Sequence, residues 1–401
     1  MEFEQSQLSR PDATHTASTV EHSGVINALS EAYHWGTEHK LAIGLTAAAA
    51  AALALKPQLA MEALNAVTAG VEATGLSSAS AAVGGTALLA GGMLAMSSRP
   101  AAAWNSFGHM TVGDIAYEHM TPEAKERAMQ LIELNPSYDK WKSLAGDNAS
   151  DDETNRKIFS MATTWADDIK GDKSYHADGT HVGNTPPDGP IATQNIGYAD
   201  KNLHKYWHFD EHSFSTDGTP VEPTQVPNAA TQIEAFRKTL ASDAPDELKS
   251  YDLTWMLHLV GDIHQPLHAT ARVDQHHPNG DVGGNFVKIE CDDCPKNLHE
   301  LWDQSLGPSG DFTIMPDTNA VQQADANFPP APASAVNNLD AASWGLESFN
   351  LAKQFVYKDL PPGDGPFQLT DAYRDNAKAI AQTQAELAGE RLAKILNTEM
   401  K

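Results

Sequence analysis

The segment from Trp255 to His268 constrains the fold of this chain more than any other stretch. It places His258 and Asp262 four residues apart, so both side chains project from one face of a helix, and Pro266 ends that helix just before His268. Most of their neighbours are apolar, and an unpaired charge among apolar side chains is costly. The segment therefore indicates a buried helix that offers imidazole and carboxylate, the usual nitrogen and oxygen ligands of zinc. The four-residue spacing alone is also compatible with a His–Asp pair on the protein surface.

Three further stretches carry residues of the same ligand types. The four-residue spacing recurs at His299 and Asp303. Upstream, Asp167 and His208 each come directly after bulky apolar residues, which can shield a metal from bulk solvent. Taken singly, each aspartate could also be a hydrogen-bonded residue at a helix end. Each histidine could also be a core residue whose ring nitrogens are hydrogen-bonded.

Helical patterns dominate the chain from Trp104 onward. Thr121 and Pro122 have the character of an N-cap and a first helical position, and apolar spacing predicts helices in segments 152–170, 229–243, 250–262, 341–359 and 370–398. Strand character is confined to residues 285–289, and loops rich in Pro, Gly and Asp fill 171–200 and 306–335. The sequence predicts a compact, mainly α-helical domain over residues 104–401, with long loops and a small β-hairpin.

Residues 1–103 differ in composition from the rest and form an Ala-rich extension. Its two apolar runs, at 41–55 and 83–96, are shorter than the roughly 20 residues of a membrane-spanning helix, so no clear transmembrane anchor is expected. Ala101 to Ala103 fit a small-residue cleavage site, although the segment lacks the basic start of a standard signal peptide. Export to the periplasm or the exterior, with the extension as a pro-segment, is expected; a tether without a targeting role is the alternative.

The balance of charge excludes one class of nucleic-acid-binding protein. The chain has 53 acidic residues against 27 Lys and Arg, a formal net charge of −26. No broad basic groove can be built from such a chain. If the substrate is a polyanion, bound divalent metal is the obvious source of positive charge.

The only two cysteines, Cys291 and Cys294, form a C-x-x-C motif. One such pair cannot make a four-thiolate zinc site, and no thioredoxin-like strand and helix surround it. A local disulfide in an exported protein is expected, with two unpaired thiols as the alternative.

Taken together, the candidate ligands resemble the zinc-ligand motifs of S1/P1 nucleases, a family of the phospholipase C/nuclease superfamily. The motifs are Trp104 with a histidine five residues later, W-A-D ending at Asp167, W-H-F around His208, H-x3-D-x5-H from His258, and N-L-H-x-x-W-D from Asn297. They occur in the family's order, over roughly residues 104 to 395. The resemblance implies that family's compact multi-helix fold and an enzyme that hydrolyses the phosphodiester bonds of single-stranded DNA and RNA. It implies 5′-phosphate products and leaves 3′-nucleotidase activity as a further expectation.

The resemblance also implies three zinc ions per chain. Their ligand sets would be Asp167, His208, His258 and Asp262 for the first; His268, His299 and Asp303 for the second; and Trp104 through its backbone amine and carbonyl, with His109 and Asp262, for the third. Asp262 would then bridge two metals, as in two-metal phosphoryl chemistry. Lys170, three residues after Asp167, would stabilise the transition state, and Phe209 would stack on a base of the substrate.

Two other functions remain open on the sequence. A zinc phospholipase C has a similar fold and three-zinc site, but its last ligand motif usually ends in glutamate, whereas His299 here pairs with Asp303. A non-catalytic zinc-binding interaction protein would need sites closed by four protein ligands, whereas the second set here has three. The prediction is a monomeric nuclease acting on single-stranded nucleic acid, with no stable protein partner.

Overall fold

A computed structural model of the chain describes residues 104–146, 150–180, 185–307 and 317–400, so the predictions for residues 1–103 lie outside the described residues. The helices in these ranges are α1 (Ser106–His119), α2 (Pro122–Ile132), α3 (Tyr138–Ala145), α4 (Asp151–Ala162), α5 (Trp165–Asp168), α6 (Ala229–Leu240), α7 (Asp246–His264), α8 (Leu298–Asp303), α9 (Thr318–Asp325), α10 (Ala333–Val336), α11 (Ala341–Leu351) and α12 (Asp371–Glu399). The expected mainly helical fold is confirmed. None of these helices has the length and apolar character needed to cross a membrane.

The helix boundaries follow from local chemistry. Thr121 caps α2 by accepting a hydrogen bond from the Ala124 amide, with Pro122 at the first helical position, as predicted. The single helix predicted over 152–170 is instead broken between α4 and α5. There the hydroxyls of Thr163 and Thr164 donate to helix carbonyls one turn back, at 2.6 and 2.9 Å. Such bonds compete with the backbone ladder of the helix and favour its end.

Helix α7 is the centre of the domain. Every residue from Ser250 to His264 is buried, and the helix packs against α1, α2, α6, α11 and α12. A helix that is apolar on all sides is stable only inside a core. Because His258 and Asp262 lie on this helix, their side chains have no route to bulk water and need partners within the protein.

The strands correct one prediction. Strand β1 (His212–Ser215) pairs in parallel with β2 (Thr270–Val273), and β3 (Ile289–Glu290) pairs in parallel with β4 (Phe367–Gln368), so the paired strands do not form the expected β-hairpin. The chain after β3 turns through the disulfide between Cys291 and Cys294, which the sequence predicted, and returns directly into the N-cap of α8. That return leaves room for only an isolated antiparallel bridge between Lys288 and Asn297.

Asp252 of α7 provides a test of how burial affects stability. Its side chain is fully buried, Asn195 donates to Oδ2 at 2.9 Å, and Oδ1 has no partner. Burial raises the pKa of Asp252 from 3.8 to about 7. The folded state therefore binds more protons than the unfolded state between these values, and stability falls as pH rises through that window.

We expect Asp252→Asn to stabilise the protein more at pH 8 than at pH 5.5, since the amide cannot ionise. The difference between the two pH values should be on the order of 2 kcal/mol, from about 1.4 kcal/mol per pKa unit. Thermal unfolding at both pH values measures it, with the exposed Asp243→Asn as the matched control. An equal gain at both pH values would show that the carboxyl of Asp252 is not held protonated.

Candidate metal centre

Eight histidine and aspartate side chains converge beside α7. They form three groups whose ligand atoms lie within 4.8 Å of one another, namely His109, Asp167 and His258; His208, His258 and Asp262; and His268, His299 and Asp303. The groups contain all eight side chains that the sequence nominated as ligands. Seven of the eight are buried and Asp167 is partly buried. The fold thus gathers residues that are up to 194 positions apart in the chain into one cluster.

The Asp262 carboxylate lies at the middle of this cluster. Its Oδ2 is 2.8 Å from Nδ1 of His208 and 3.2 Å from Nε2 of His258, whereas its Oδ1 is 3.3 Å from Nε2 of His109. The two oxygens therefore face two different sets of imidazoles. This geometry is the one that a carboxylate needs to bridge two metal ions.

Three of the imidazoles are oriented by backbone carbonyls. Nδ1 of His258 donates to Thr163 O at 2.7 Å, Nδ1 of His268 to His208 O at 2.8 Å, and Nδ1 of His299 to Gly283 O at 2.7 Å. A proton on Nδ1 leaves the lone pair of Nε2 free, which is the arrangement of metal-binding histidines.

The cluster has unsatisfied atoms where a metal would bind. Nε2 of His268 and His299, both nitrogens of His109 and Oδ1 of Asp262 are buried without a hydrogen-bond partner. Buried polar atoms are normally paired, so several orphaned lone pairs at one place require an explanation. Their nitrogen and oxygen donors fit a bound cation of the zinc type.

Most of the protonation states also suit metal binding. His258 is the exception, because burial would lower its pKa but the charges of Asp262 and Asp167 raise it. Burial, with the neighbouring His258, lowers the pKa of His109 to about 4. Burial likewise lowers the pKa of His208 and of His299 to about 3. Burial opposes ionisation of Asp262, but the nearby His258 and the hydrogen bond with His208 hold its pKa well below the usual value. At neutral pH the three imidazoles with lowered pKa are neutral and the Asp262 carboxylate is charged, as ligands must be.

Asp303 differs from Asp262 in its surroundings. Burial raises its pKa well above the usual value, and its Oδ1 accepts a hydrogen bond from Gln265 Nε2 at 2.7 Å. Sequence patterns did not single out Gln265, which lies between the helix that carries Asp262 and the turn that carries His268. A cation beside His268, His299 and Asp303 would favour the ionised carboxylate.

Two glycines make room for the cluster. A Cβ on Gly261 would lie 2.9 Å from Nδ1 of His109, so only glycine lets α1 approach α7 at this point. Gly283 has a φ of +57°, and a Cβ there would lie 2.3 Å from Leu267 O. Its backbone carbonyl accepts the hydrogen bond from His299, so this conformation positions a ligand directly.

Trp104 is tied to both ends of the cluster. Its side chain is fully buried and donates from Nε1 to Gly261 O at 2.9 Å, one residue before Asp262. The amide of the next residue, Asn105, donates to Asp303 O at 3.1 Å. The first described residue of the chain is thereby anchored beside two of the candidate ligands.

Lys170 and Phe209 both border the cluster. Lys170 lies in a 3-10 turn, Ile169–Gly171, and its Nζ is 2.5 Å from Oδ1 of Asp167. The Phe209 ring stacks on His268 with centroids 4.6 Å apart and lines a cavity of about 390 Å³. The same cavity is lined by Glu211, whose pKa burial raises to about 7. In the sequence, the position of Glu211 two residues after Phe209 is the only signal that could have indicated it.

His204 holds the 3-10 turn Lys205–His208 in position. No sequence pattern indicated this role of His204. Its ring is fully buried and stacks on Trp207 at 3.8 Å. Nδ1 is 2.8 Å from Oδ2 of Asp178 and Nε2 is 3.2 Å from Oδ2 of Asp200. Burial alone would lower the pKa of His204, but the hydrogen bonds to the two carboxylates raise it. The His204 ring therefore joins two loops directly before His208.

We expect His204→Gln to lower the melting temperature and to weaken metal retention. It would leave Asp178 and Asp200 with an unpaired charge, which costs about 1–3 kcal/mol. Since the folded pKa of His204 is raised, the stabilisation is complete below pH 6.5 and is lost as pH rises through the folded value. The destabilisation should thus be larger at pH 6 than at pH 9, as measured by thermal unfolding. The exposed His176→Gln is the control, and an effect independent of pH would contradict a charged His204.

Comparison with known proteins agrees with this arrangement. Residues 104–401 match the family described as S1/P1 Nuclease. Endonuclease 4 of Arabidopsis thaliana is 26% identical over 313 residues, covering 74% of this chain and 89% of the relative. Nuclease P1 of Penicillium citrinum is 20% identical over 250 residues, 62% of this chain and 72% of the relative. Nuclease S1 of Aspergillus oryzae is 39% identical over 54 residues, which cover 14% of this chain and 16% of the relative. The chain therefore belongs to the S1/P1 nuclease family, hydrolases that act on phosphodiester bonds.

Proposed function

We propose that this protein is a zinc-dependent endonuclease that hydrolyses single-stranded DNA and RNA to 5′-phosphate products and also acts on 3′-nucleotides. The observation that supports this most directly is the buried cluster around Asp262, inside the region that matches the nuclease family. Its ligand set of imidazoles and carboxylates, without thiolates, suits zinc.

The proposed zinc sites use the same eight side chains but divide two of the groups differently, because the structure groups His109 with Asp167 and His258. Asp167, His208, His258 and Asp262 hold one ion, His268, His299 and Asp303 hold a second, and His109 and Asp262 hold a third together with the backbone of Trp104. The second set has only three protein ligands, which leaves a position for water or substrate, as in catalytic rather than structural sites.

Bound zinc supplies a nucleophilic water at neutral pH and positive charge for phosphate oxygens. The protein's own residues hold the ligand side chains in position and supply a further positive charge. The hydrogen bonds from His258, His268 and His299 to backbone carbonyls fix the rings before substrate arrives, so little reorganisation is needed during the reaction. Lys170, held at Asp167, presents an ammonium group to the charge that develops on the phosphate oxygens.

The cavity beside Phe209 is proposed to receive a base. Stacking on an aromatic ring tolerates any base, because every base has a π-face. Glu211, with a pKa of about 7, both donates and accepts hydrogen bonds near neutral pH, which suits the edge of a base. A base can enter this cavity only when it is out of a duplex stack, and the net charge of −26 adds repulsion against a stiff duplex. Both effects favour single strands.

We further propose that the protein is exported, to the periplasm or the exterior, and acts as a monomer without a stable protein partner. The disulfide between Cys291 and Cys294 supports export, because disulfides persist in oxidising compartments.

The proposed function predicts close to three zinc ions per active chain, and hydrolysis of single-stranded DNA that EDTA abolishes and zinc restores. Asp262→Asn should lose both metal and activity, since it removes the shared ligand. Lys170→Ala should keep its zinc, because a bound cation itself favours the ionised Asp167, while kcat should fall by on the order of 100-fold because the charge of Lys170 is lost from the transition state. Metal analysis and steady-state kinetics measure these effects, with phosphatidylcholine micelles as the control substrate.

Three outcomes would contradict the proposal. Cleavage of DNA by protein that holds one zinc or none would refute the three-metal site. Loss of metal from Lys170→Ala would show that this lysine supports the ligands instead. Faster hydrolysis of phosphatidylcholine than of DNA would identify a phospholipase.

The position of Trp104 leads to a prediction about processing. Within a chain its nitrogen is an amide whose lone pair is delocalised, and such a nitrogen is a poor ligand. A free α-amine titrates near pH 8 and yields its lone pair to a metal far more readily. We expect cleavage between Ala103 and Trp104 to be required for full activity. The test compares protein that begins at Trp104 with uncleaved full-length chain, verified by mass spectrometry; equal zinc content and equal turnover would refute the requirement.

A further inference from the structure

One wall of the cavity beside Phe209 is formed by the loop between β1 and α6. Residues 220–227 of this loop form neither helix nor strand, and four of them line the cavity, namely Glu222, Pro223, Gln225 and Pro227. Three of the eight residues are prolines, which have no amide proton to donate. A segment with few hydrogen bonds opens at a low cost in free energy. The shape of the cavity therefore depends on what holds this segment.

A single hydrogen bond ties residues 220–227 to the rest of the described structure. Among the described residues, Thr224 is the only member of this segment that forms a hydrogen bond, and its partner is His212. Thr224 Oγ1 lies 3.0 Å from Nδ1 of the His212 ring. Thr224 does not line the cavity, whereas Pro223 and Gln225 on either side of it do. The threonine therefore faces away from the cavity and anchors the residues that line it.

His212 belongs to a segment whose alternate residues face the cavity. The residues of this segment that line the cavity are Phe209, Glu211 and Ser213. Successive side chains of an extended segment point to opposite sides, so Asp210 and His212 lie on the reverse side from the ring that would stack on a base. The segment is itself fixed, because the amide of His212 donates to Ala269 O at 3.0 Å.

A buried carboxylate holds His212 in place. Asp210 is buried, and its Oδ2 lies 3.1 Å from Nε2 of His212. Because a carboxylate can only accept, Nε2 of the neutral ring carries the proton, and the lone pair of Nδ1 is free to accept from the hydroxyl of Thr224. The other oxygen of Asp210 accepts from Nδ2 of Asn228 at 2.6 Å, and Asn228 caps α6 and lines the cavity. One carboxylate thus holds the middle of the loop through His212 and its end through Asn228.

Helix α11 packs directly on this pair of side chains. The His212 ring contacts the ring of Phe349, with centroids 5.5 Å apart. A Cβ at Gly345 would overlap Oδ2 of Asp210, so only glycine leaves room for the carboxylate there. The helix leaves Asp210 and His212 little freedom to move, which makes them a rigid support for the loop.

We propose that His212 is a positioning residue: through Thr224 it holds residues 220–227 where they contact a base bound against Phe209. The inference rests on the proposed function, in which this cavity receives a base, and adds the group that keeps the cavity closed around that base. Neither His212 nor Thr224 belongs to the metal cluster. Their hydrogen bond should therefore affect the affinity for a base and leave the rate of bond cleavage unchanged.

The test compares substrates with and without a base. Thr224→Val removes the hydroxyl and preserves the shape of the side chain, while Asp210 keeps its partners. In zinc-loaded protein it should raise KM for a thymidine dinucleoside monophosphate about fivefold with kcat nearly unchanged, the effect of losing one neutral hydrogen bond. An analogue with abasic sugars should keep its KM, because no base enters the cavity. Thr224→Ser retains the hydroxyl and should restore the KM for the thymidine substrate.

Two further variants separate this hydrogen bond from general effects on folding. Thr219→Val removes a hydroxyl from the same loop, one that donates to Asp217 at 2.6 Å, and should not change KM for either substrate. His212→Gln keeps an amide donor for Asp210 but removes the ring nitrogen that bonds Thr224, so it should raise KM as much as Thr224→Val does. Adding Thr224→Val to His212→Gln should then have no further effect, as expected for the two partners of one hydrogen bond.

Binding measured without cleavage keeps this inference distinct from the nuclease proposal. In isothermal titration calorimetry, Thr224→Val should bind thymidine 5′-monophosphate about fivefold more weakly than the unaltered protein, whereas both should bind deoxyribose 5-phosphate equally. If the unaltered protein cleaves no strand, the nuclease proposal fails, while calorimetry still decides the role of Thr224. Equal affinity of the two proteins for the mononucleotide, or the same loss for the sugar phosphate, would overturn the positioning role of His212.

Discussion

The burial of the Asp262 carboxylate is the constraint on which the rest of the domain depends. A charge inside a helix that is buried on every side is expensive unless it is paired and hydrogen-bonded. The protein meets this cost with imidazoles from three places, His109 on α1, His208 on a 3-10 turn and His258 on the same helix. His109 and His208 each fix another element against α7, so the packing of the core and the geometry of the metal centre have one origin.

Hydrogen bonds to backbone carbonyls connect one group of candidate ligands to the next. His268 donates to the carbonyl of His208, and the amide of Asp210 donates to the carbonyl of His268. These two bonds join the turns that carry the two histidines, and the parallel pairing of β1 with β2 continues directly from them. A shift of either turn would therefore disturb both groups of candidate ligands. The centre behaves as one unit for this reason, although its ligands come from distant segments.

The candidate ligands could be selected from the sequence because their signal is local. A four-residue spacing such as that of His258 and Asp262 places two side chains on one helical face whatever the rest of the fold does. The parallel pairing of β3 with β4 was not predictable in this way, since the two strands are separated by more than seventy residues. His204 was missed for the same reason: its role depends on Asp178, which lies 26 residues away on another loop. Glu211 was missed because its surroundings depend on the cavity, which is lined by distant segments and which no short pattern encodes.

The overall charge of the chain and its proposed substrate are reconciled by the distribution of its positive groups. A net charge of −26 repels a polyanion at long range, and this repulsion is screened over about 10 Å at moderate salt. Attraction must therefore act at short range, where metal ions and a few lysines outweigh the distant carboxylates. Lys170 lies at Asp167, and bound metals would add their charge beside it. Such a site attracts a flexible strand that can bring single phosphates into contact, whereas a stiff duplex would have to align a whole charged face with an acidic surface. The proposed selection for single strands would then follow from the range of the forces as much as from the shape of the cavity beside Phe209.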